Sequence, residues 1–408
     1  MKISFINFRT SCIICLLFLY SIIANAQKVP AFITDSLDNY VGKALKIWDI
    51  PGVAVCIVKD GKVIVNKGYG VCELGKNDKV DENTLFMIGS NTKAFTGTAL
   101  TWMAVENKCS LNDKVKKWVP EFSAKDPWVA ENANLTDIVC HRMGTSTFQG
   151  DFTFFDSDLN SSQIIEKYGK LTPVHEFRTK WGYCNTGFLL AGRALKPISG
   201  LSWEDFMRTK IFGPLQMKRS LPLISEINNK TNKASAHTLI ENVVKVIPYG
   251  NFDALAPAAS ICSSVEDMSH WLIVLLDSGN YQNKNVIPYE AILKTREPQS
   301  VIGNAYHPFN QSNYSLYGLG WELQDYEGHN LVMHNGGIDG FVTSVTLVPD
   351  ENLGIVVLTN TDQNYLYEAL KWEILDAYLG LPYRNYSKLY SNYFKRRSQR
   401  DNNEIKVW

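Results

Sequence analysis

The sequence predicts an α/β (α+β) fold in which one antiparallel sheet is built from both ends of the chain, with a mostly helical region inserted between its two parts. Two observations predict it. Strand-like segments occur in two groups, one within residues 53–65 and one within residues 318–358. The stretch from about residue 111 to 297 is dominated instead by helical patterns and long loops. A single sheet must therefore bring the two ends of the chain together.

The N-terminal part of the fold is predicted as a helix followed by a β-hairpin. Apolar residues recur on one helical face over Thr34–Trp48. Val53–Val58 is a continuous apolar run, as in a strand that is covered on both faces. Asp60-Gly61 is a hairpin turn signal, and Val63–Val65 begins the return strand.

The inserted region and the C-terminal group follow from the same periodicities. Ser90 opens a helical stretch that is apolar nearly all round, which predicts a central, buried helix. The other clear helices are Leu135–Cys140, Ser162–Tyr168, Thr186–Leu195 and Val265–Leu276. The late strands are Gly318–Leu323, Leu331–His334, Phe341–Val348 and Gly354–Leu358, followed by a helix over Tyr365–Leu379.

The composition is that of an ordinary globular protein. Of 408 residues, 45% are hydrophobic and 20% are charged, and the formal net charge is zero. A surface that binds nucleic acid normally shows as an excess of Lys and Arg. We therefore expect no nucleic-acid partner.

Residues 1–26 are predicted to be a secretory signal rather than part of the fold. Lys2 and Arg9 precede an apolar run from Cys12 to Ile23, and Ala24-Asn25-Ala26 supplies the small residues that signal peptidase requires. The alternative is an uncleaved membrane anchor, for which the run is short. The sequence thus predicts an exported protein, periplasmic or extracellular, with no membrane span after cleavage.

Cysteine and histidine show no pattern typical of a metal site, so we expect neither a metal nor another cofactor. The six cysteines beyond the signal are widely scattered, either as small buried hydrophobes or as thiols that export would allow to oxidise. They are Cys56, Cys72, Cys109, Cys140, Cys184 and Cys262. None of the seven histidines lies in an H-E-x-x-H motif.

Ser90 and Lys93 form the first candidate catalytic pair. Residues three apart on a helix lie on the same face. A serine hydroxyl needs an adjacent base, and a lysine can serve if burial and the positive end of a helix dipole lower its pKa. The Ser90 backbone N–H could also face a developing oxyanion. The alternative is a capping serine followed by a surface lysine.

Two later motifs could complete such a site. Tyr183-Cys184-Asn185, which precedes an apolar helix, offers a tyrosine to relay a proton and an amide to hold both the lysine and a substrate carbonyl. His334-Asn335-Gly336-Gly337, at the end of a predicted strand, would let a substrate approach the backbone closely, with the Gly337 N–H as a second oxyanion donor. The alternative for the second motif is a glycine-rich turn.

The three motifs in this order resemble the class C β-lactamase and DD-peptidase (penicillin-binding protein) family of serine hydrolases, over roughly residues 30 to 380. The resemblance implies a β-lactamase/transpeptidase-like fold. It implies that Ser90 is acylated, that Lys93 and Tyr183 share the proton transfers, and that the N–H groups of Ser90 and Gly337 form the oxyanion hole. Further residues implied to bind substrate are Asn185, His334, Asn335 and Gly336.

His334 departs from the family pattern, because the β-lactamases typically carry lysine there. A histidine is mostly neutral at pH 7, which disfavours substrates recognised through a carboxylate. The expected partner is a small molecule or peptide with an ester or amide bond, including one derived from the cell wall. The expected activity is that of a D-amino-acid peptidase, an esterase or a β-lactamase-like enzyme. The alternative is a catalytically silent penicillin-binding or cell-wall-peptide sensor domain.

The sequence therefore divides into a signal peptide (1–26), one β-lactamase-related hydrolase domain (27–380) and a tail (381–408). The tail is rich in Tyr, Asn and basic residues. It is predicted either to form a short helix on the body of the protein or to be the remnant of a lost domain. Loops within residues 145–160 and 298–316 are expected to shape the pocket.

Overall fold

A computed structural model describes residues 29–151, 157–303 and 308–405, with side chains as far as residue 396. The predicted signal segment lies outside these residues. The strands in chain order are β1 (Gly52–Lys59), β2 (Lys62–Gly70), β3 (Phe86–Met87), β4 (Ala236–Ile240), β5 (Val243–Ile247), β6 (Cys262–Ser263), β7 (Asn280–Tyr281), β8 (Lys284–Asn285), β9 (Ser300–Gly303), β10 (Ser315–Tyr317), β11 (Glu322–Tyr326), β12 (His329–Ile338), β13 (Phe341–Val348) and β14 (Leu353–Thr359).

The main sheet joins the two ends of the chain. Its eight strands follow the order β2-β1-β14-β13-β12-β11-β10-β9, and each neighbouring pair is antiparallel. The joining pair is β1 with β14, where Val53 lies opposite Thr359 and Lys59 opposite Leu353. The predicted fold class, one antiparallel sheet built from both termini, is confirmed.

Most of the helices lie in the inserted region between β2 and β9. The α-helices are α1 (Leu37–Ile47), α2 (Thr92–Val105), α3 (Val115–Trp118), α4 (Pro127–Asn132), α5 (Leu135–Val139), α6 (Ser161–Gly169), α7 (Asn185–Ser199), α8 (Trp203–Phe206), α9 (Ala256–Ala259), α10 (Val265–Leu276), α11 (Tyr289–Thr295), α12 (Leu366–Tyr378) and α13 (Tyr386–Ile405). The short turn Gly89–Asn91 leads directly into α2.

The sheet is covered on both faces, which explains the unbroken apolar run of β1. Ala54, Cys56 and Val58 pack with the inserted helices, whereas the alternating residues Val53 and Val55 pack with α1, α12 and the start of α13. Every residue of β1 is buried. Helix α2 lies deep in the first of these two cores, because nearly all of its residues are buried. The predicted central helix is therefore confirmed.

Two strand predictions are wrong in their bounds. Gly318–Leu323 was predicted as a strand, but Gly318 donates to the Trp321 carbonyl (2.8 Å) in the turn between β10 and β11, so the strand begins at Glu322. Leu331–His334 was predicted to end before the glycines, but β12 continues through them to Ile338, paired with β13. The glycines are thus part of the sheet and not of a terminal turn.

The inserted region also contains a hairpin that the sequence did not predict, formed by β4 and β5. Its two-residue turn places Glu241 and Asn242 at positive φ (51° and 62°). Such turns usually carry glycine, so this one left no clear sequence signal.

The C-terminal tail is helical, as the first of the two alternatives predicted. Tyr386 and Tyr390 at the start of α13 are buried in the core that the sheet forms with α1 and α12. The Ser387 backbone N–H donates to Tyr40 Oη (3.0 Å). Across the described part of the chain, none of the helices combines the length and the apolar character needed to cross a membrane. The six cysteines beyond the predicted signal are free thiols, and all but Cys109 are buried.

Candidate active site

Ser90 lies where the inserted helical region meets the main sheet. Gly89 has a φ of +53°, and a Cβ atom there would lie 3.1 Å from the Gly337 carbonyl oxygen, so this turn passes directly against β12. Asn91 Nδ2 donates to Thr343 Oγ1 on β13 (2.8 Å) and to the Ile88 carbonyl (3.2 Å). These contacts fix the start of α2, and with it Ser90, against the two strands.

Lys93 lies one helical turn after Ser90 and is completely buried. Its Nζ is 2.9 Å from Ser90 Oγ, 2.7 Å from Asn185 Oδ1 and 3.0 Å from the Ala258 carbonyl oxygen. Burial lowers the pKa of Lys93 to about 7, an effect that the charge of Asp151 partly opposes. An appreciable fraction of Lys93 is therefore a neutral amine near pH 7.

The three partners of Lys93 match the hydrogen-bonding capacity of a neutral amine. Such an amine has two N–H donors and one lone pair, and two of its neighbours are carbonyl oxygens that can only accept. When Asn185 Oδ1 and the Ala258 carbonyl take the two N–H groups, the lone pair faces Ser90 Oγ. The serine then donates its proton toward Lys93, which is the arrangement that general-base activation requires.

Tyr183 is positioned by His141, which is fully buried. The His141 carbonyl accepts from the Gly182 N–H (2.8 Å), and its Nδ1 accepts from the Cys184 N–H (3.0 Å). The two rings lie 4.4 Å apart. The backbone on either side of Tyr183 is therefore held by one residue, His141, through its carbonyl and its ring.

The Tyr183 ring lies 4.7 Å from Lys93 Nζ, and Tyr183 and Ser90 line the same cavity. Burial raises the pKa of Tyr183 well above its ordinary value, so it is a neutral phenol that can both donate and accept a proton.

Asn185 begins α7 and links two ionisable side chains, Lys93 and Asp151. Its Oδ1 accepts from Lys93, and its Nδ2 donates to Asp151 Oδ2 (3.0 Å). The two bonds fix which end of the amide faces the lysine. Burial raises the pKa of Asp151 to about 6, so its carboxylate is mostly ionised at neutral pH.

His334 on β12 is buried, with 2% of its surface exposed. Its Nδ1 is 2.6 Å from the Asn335 carbonyl, which can only accept, so Nδ1 carries the proton and Nε2 accepts from Tyr317 Oη (3.0 Å). Burial lowers the pKa of His334 to about 3, with a further contribution from Lys93. The histidine is therefore neutral, as the sequence predicted.

The structure brings all the predicted site residues together. Ser90, Tyr183, Asn185 and the run His334–Gly337 line one cavity of about 550 Å³, and Lys93 lies behind Ser90. Among the described residues, no group of His, Cys, Asp and Glu is arranged to hold a metal ion.

Several lining residues were not predicted from the sequence. They are the carboxyl groups Asp151, Glu322, Asp339 and Asp362 and the rings Phe148, Trp181, Phe252 and Tyr367. Asp151 and Phe148 come from the loop that was expected to shape the pocket, within residues 145–160. Of the other expected loop, within residues 298–316, no described residue lines the cavity, and residues 304–307 lie outside the described part of the chain.

The comparisons with known proteins agree with this architecture. A family model described as Beta-lactamase matches residues 37–379. The chain is 29% identical to Protein flp of Staphylococcus aureus (strain MW2), an alignment that covers 83% of this chain and 66% of that protein. It is 30% identical to Unguisins hydrolase ungD' of Aspergillus campestris (strain IBT 28561), covering 84% of this chain and 64% of that protein. The chain thus spans about two thirds of the length of these relatives.

A solved structure described as the octameric penicillin-binding protein homologue from Pyrococcus abyssi superposes with a TM-score of 0.71 at 23% identity. The match covers 85% of this chain and 78% of that one. At this identity the likeness shows the fold alone. The predicted family resemblance and the β-lactamase/transpeptidase-like fold are both confirmed.

Proposed function

The chain belongs to the β-lactamase family, and on that premise we propose that it is a hydrolase that forms an acyl-enzyme on Ser90 and acts on an ester, amide or peptide bond. One observation carries the proposal: a fully buried Lys93, with a pKa lowered to about 7, lies 2.9 Å from Ser90 Oγ. The name of the Aspergillus relative, a hydrolase, also supports this type of reaction.

The proposed reaction begins when Lys93 takes the proton of Ser90 and Ser90 Oγ bonds to the acyl carbon. The backbone N–H groups of Ser90 and Gly337 stabilise the oxyanion. Tyr183 donates its hydroxyl proton to the leaving group as the bond to the acyl carbon breaks, and in the same step it takes up the proton held by Lys93. Water then attacks the ester on Ser90 and releases the acid, which restores the serine.

We propose in addition that the protein is exported. This proposal rests on the basic and apolar residues of segment 1–26 and on the small residues at Ala24 and Ala26. A cell-wall peptide or a small ester would be accessible to an exported enzyme.

A covalent probe tests the proposed nucleophile. The wild-type protein is expected to gain the mass of one fluorophosphonate adduct, and Ser90→Ala is expected to gain none. Ser225→Ala, which changes an exposed serine, should label like the wild type. Absence of an adduct on the wild type, or an undiminished adduct on Ser90→Ala, would contradict the proposal. A stable adduct with a penicillin-type probe, without turnover of any ester or amide, would instead indicate the silent penicillin-binding alternative.

Asp151 is expected to act as a positioning residue through Asn185. Asp151→Asn can still accept from Asn185 Nδ2, but it removes the charge that raises the pKa of Lys93. The midpoint of the pH dependence of kcat/KM should therefore shift to lower pH, with less than about a tenfold loss at pH 8. Asp151→Ala also loses the hydrogen bond and should lose about tenfold or more.

A purely structural role for Asp151 makes a different prediction. Both variants would then lose activity equally at every pH, and the midpoint would stay where it is in the wild type. Steady-state kinetics between pH 5 and pH 9 separate the two cases.

A further inference from the structure

The catalytic cavity is also lined by Glu322, Asn335 and Tyr367, which we call the distal wall. Glu322 lies opposite Met333 in the pairing of β11 with β12, so these two residues and Asn335 share one face of the sheet. Lys371 Nζ on α12 lies 3.8 Å from Met333 Sδ, which identifies this as the face that α12 covers. The cavity therefore extends from Ser90 to the α12 side of β12.

Glu322 places a carboxyl group without a hydrogen-bond partner among the described residues in the distal wall. No described residue donates a hydrogen bond to it, and burial raises its pKa to about 7. Lys371 is the cation that partly opposes this effect, but it is itself paired with Glu368 (2.7 Å) and only 1% exposed. Two carboxyl groups thus share one ammonium group.

Asn335 adds an acceptor that also lacks a partner. Its Nδ2 donates to Glu368 Oε1 (2.7 Å), which fixes the orientation of the amide. Its Oδ1 is buried and makes no hydrogen bond to any described residue. A buried acceptor in this state destabilises the protein unless a hydrogen-bond donor reaches it. Two acceptors of the distal wall, the Glu322 carboxyl group and Asn335 Oδ1, therefore receive no hydrogen bond from any described residue.

The charges around the rest of the cavity have the same sign. The ionisable carboxyl groups that line it are Asp151, Glu322, Asp339 and Asp362, and no Lys or Arg of the described chain lines it. His334, at the position where the β-lactamases carry lysine, is neutral. A carboxylate bound in this cavity would meet repulsion, whereas a cation would be attracted by the carboxyl groups and by aromatic rings such as Tyr367.

We infer that the distal wall binds an ammonium group of the substrate, and that the substrates are amine-bearing esters or amides rather than the carboxylate-bearing substrates typical of β-lactamases. The ammonium N–H groups would donate to Glu322 and to Asn335 Oδ1, the two acceptors without partners. The inference rests on the proposed function for the reaction itself, but the binding preference can be measured without turnover.

Two sets of matched esters test the inference by kinetics at pH 8. In the first, the 4-nitrophenyl esters of 6-aminohexanoate, heptanoate and monopimelate place an ammonium, a methyl or a carboxylate group on the acyl chain. In the second, the acetates of 4-(aminomethyl)phenol, 4-methylphenol and 4-hydroxybenzoate place the same kinds of group on the leaving alcohol. In at least one set, kcat/KM for the ammonium ester should exceed that for the carboxylate ester by at least about 100-fold.

Glu322→Gln is expected to reduce this ratio by at least about tenfold. The matched control is Glu297→Gln, which makes the same change at an exposed position after α11 and should keep the ratio. A ratio near one in both sets, or a ratio that Glu322→Gln leaves intact, would overturn the inference.

Calorimetry on Ser90→Ala separates this inference from the proposed function. Benzylammonium should bind with a Kd at least about tenfold lower than that of benzoate, and Glu322→Gln in the same background should abolish the difference. If benzoate binds as well as benzylammonium, the inference is wrong even if Ser90 is the nucleophile. If the preference is present but no ester is turned over, the inference stands and the proposed reaction fails.

Discussion

Replacing Lys93 with methionine is expected to lower kcat/KM by at least about 10³-fold, because no other described group contacts Ser90 Oγ with a lone pair of comparable basicity. Methionine keeps most of the buried volume. In the wild type, kcat/KM should rise with pH and level off above about pH 7, as Lys93 loses its proton. The residual activity of Lys93→Met should lack this rise. Steady-state kinetics against a neutral ester measure both effects.

The same substitution tests the pKa of Lys93 without any substrate. The folded pKa is about 7 and the ordinary value is 10.5, so between these values the unfolded chain holds a proton that the folded wild type lacks. Raising the pH through this window should stabilise the wild type relative to Lys93→Met by up to about 1.4 kcal/mol per pH unit, and the difference should be constant below pH 7. Urea unfolding measures the two free energies of unfolding. A difference between wild type and Lys93→Met that stays constant from pH 6 to pH 9.5 would contradict this prediction.

Gly336→Ala is expected to damage both stability and activity. A Cβ atom at this position would overlap the Ile88 carbonyl and Thr343 Oγ1 and would lie 2.8 Å from Asn91 Nδ2. These are the atoms that hold the start of α2 against β12 and β13. The free energy of unfolding should fall by about 2–4 kcal/mol, and kcat/KM should fall by about 100-fold as Ser90 moves.

Gly337→Ala is the matched control for stability. A Cβ atom there has nothing within 4 Å, so the free energy of unfolding should stay within about 0.5 kcal/mol of wild type. Chemical denaturation compares the two variants. An equal loss of unfolding free energy in both variants would show that the close packing around Gly336 does not cause the destabilisation.

The parts of the fold that the sequence predicted are those encoded by local spacing. The helical period around Ser90 and the apolar run of Val53–Val58 each report how completely an element is buried, and both predictions are confirmed. The pairing of Ser90 with Lys93 could be predicted for the same reason, since residues three apart on a helix share a face whatever the rest of the chain does.

The parts that it did not predict depend on contacts across the chain. Asp151 is hydrogen-bonded to Asn185, which contacts Lys93, and it lies in a loop with no periodic pattern. Glu322 was placed within a predicted strand, but its lack of a hydrogen-bond partner follows from how α12 packs on the sheet. The glycines of β12 were expected to end the strand. Instead, the strand continues through them, and Gly336 is needed inside it because the Ile88 carbonyl and Thr343 Oγ1 leave no room for a Cβ atom there.

The rate at which a fluorophosphonate labels Ser90 as a function of pH tests the central claim most directly. It reports the activation of the serine by Lys93 without depending on the natural substrate. The account predicts a labelling rate in the wild type that rises with pH and levels off above about pH 7, and a rate in Lys93→Met that is at least about 100-fold lower with no such rise. Equal rates in the two proteins, or an adduct mapped to a residue other than Ser90, would contradict it.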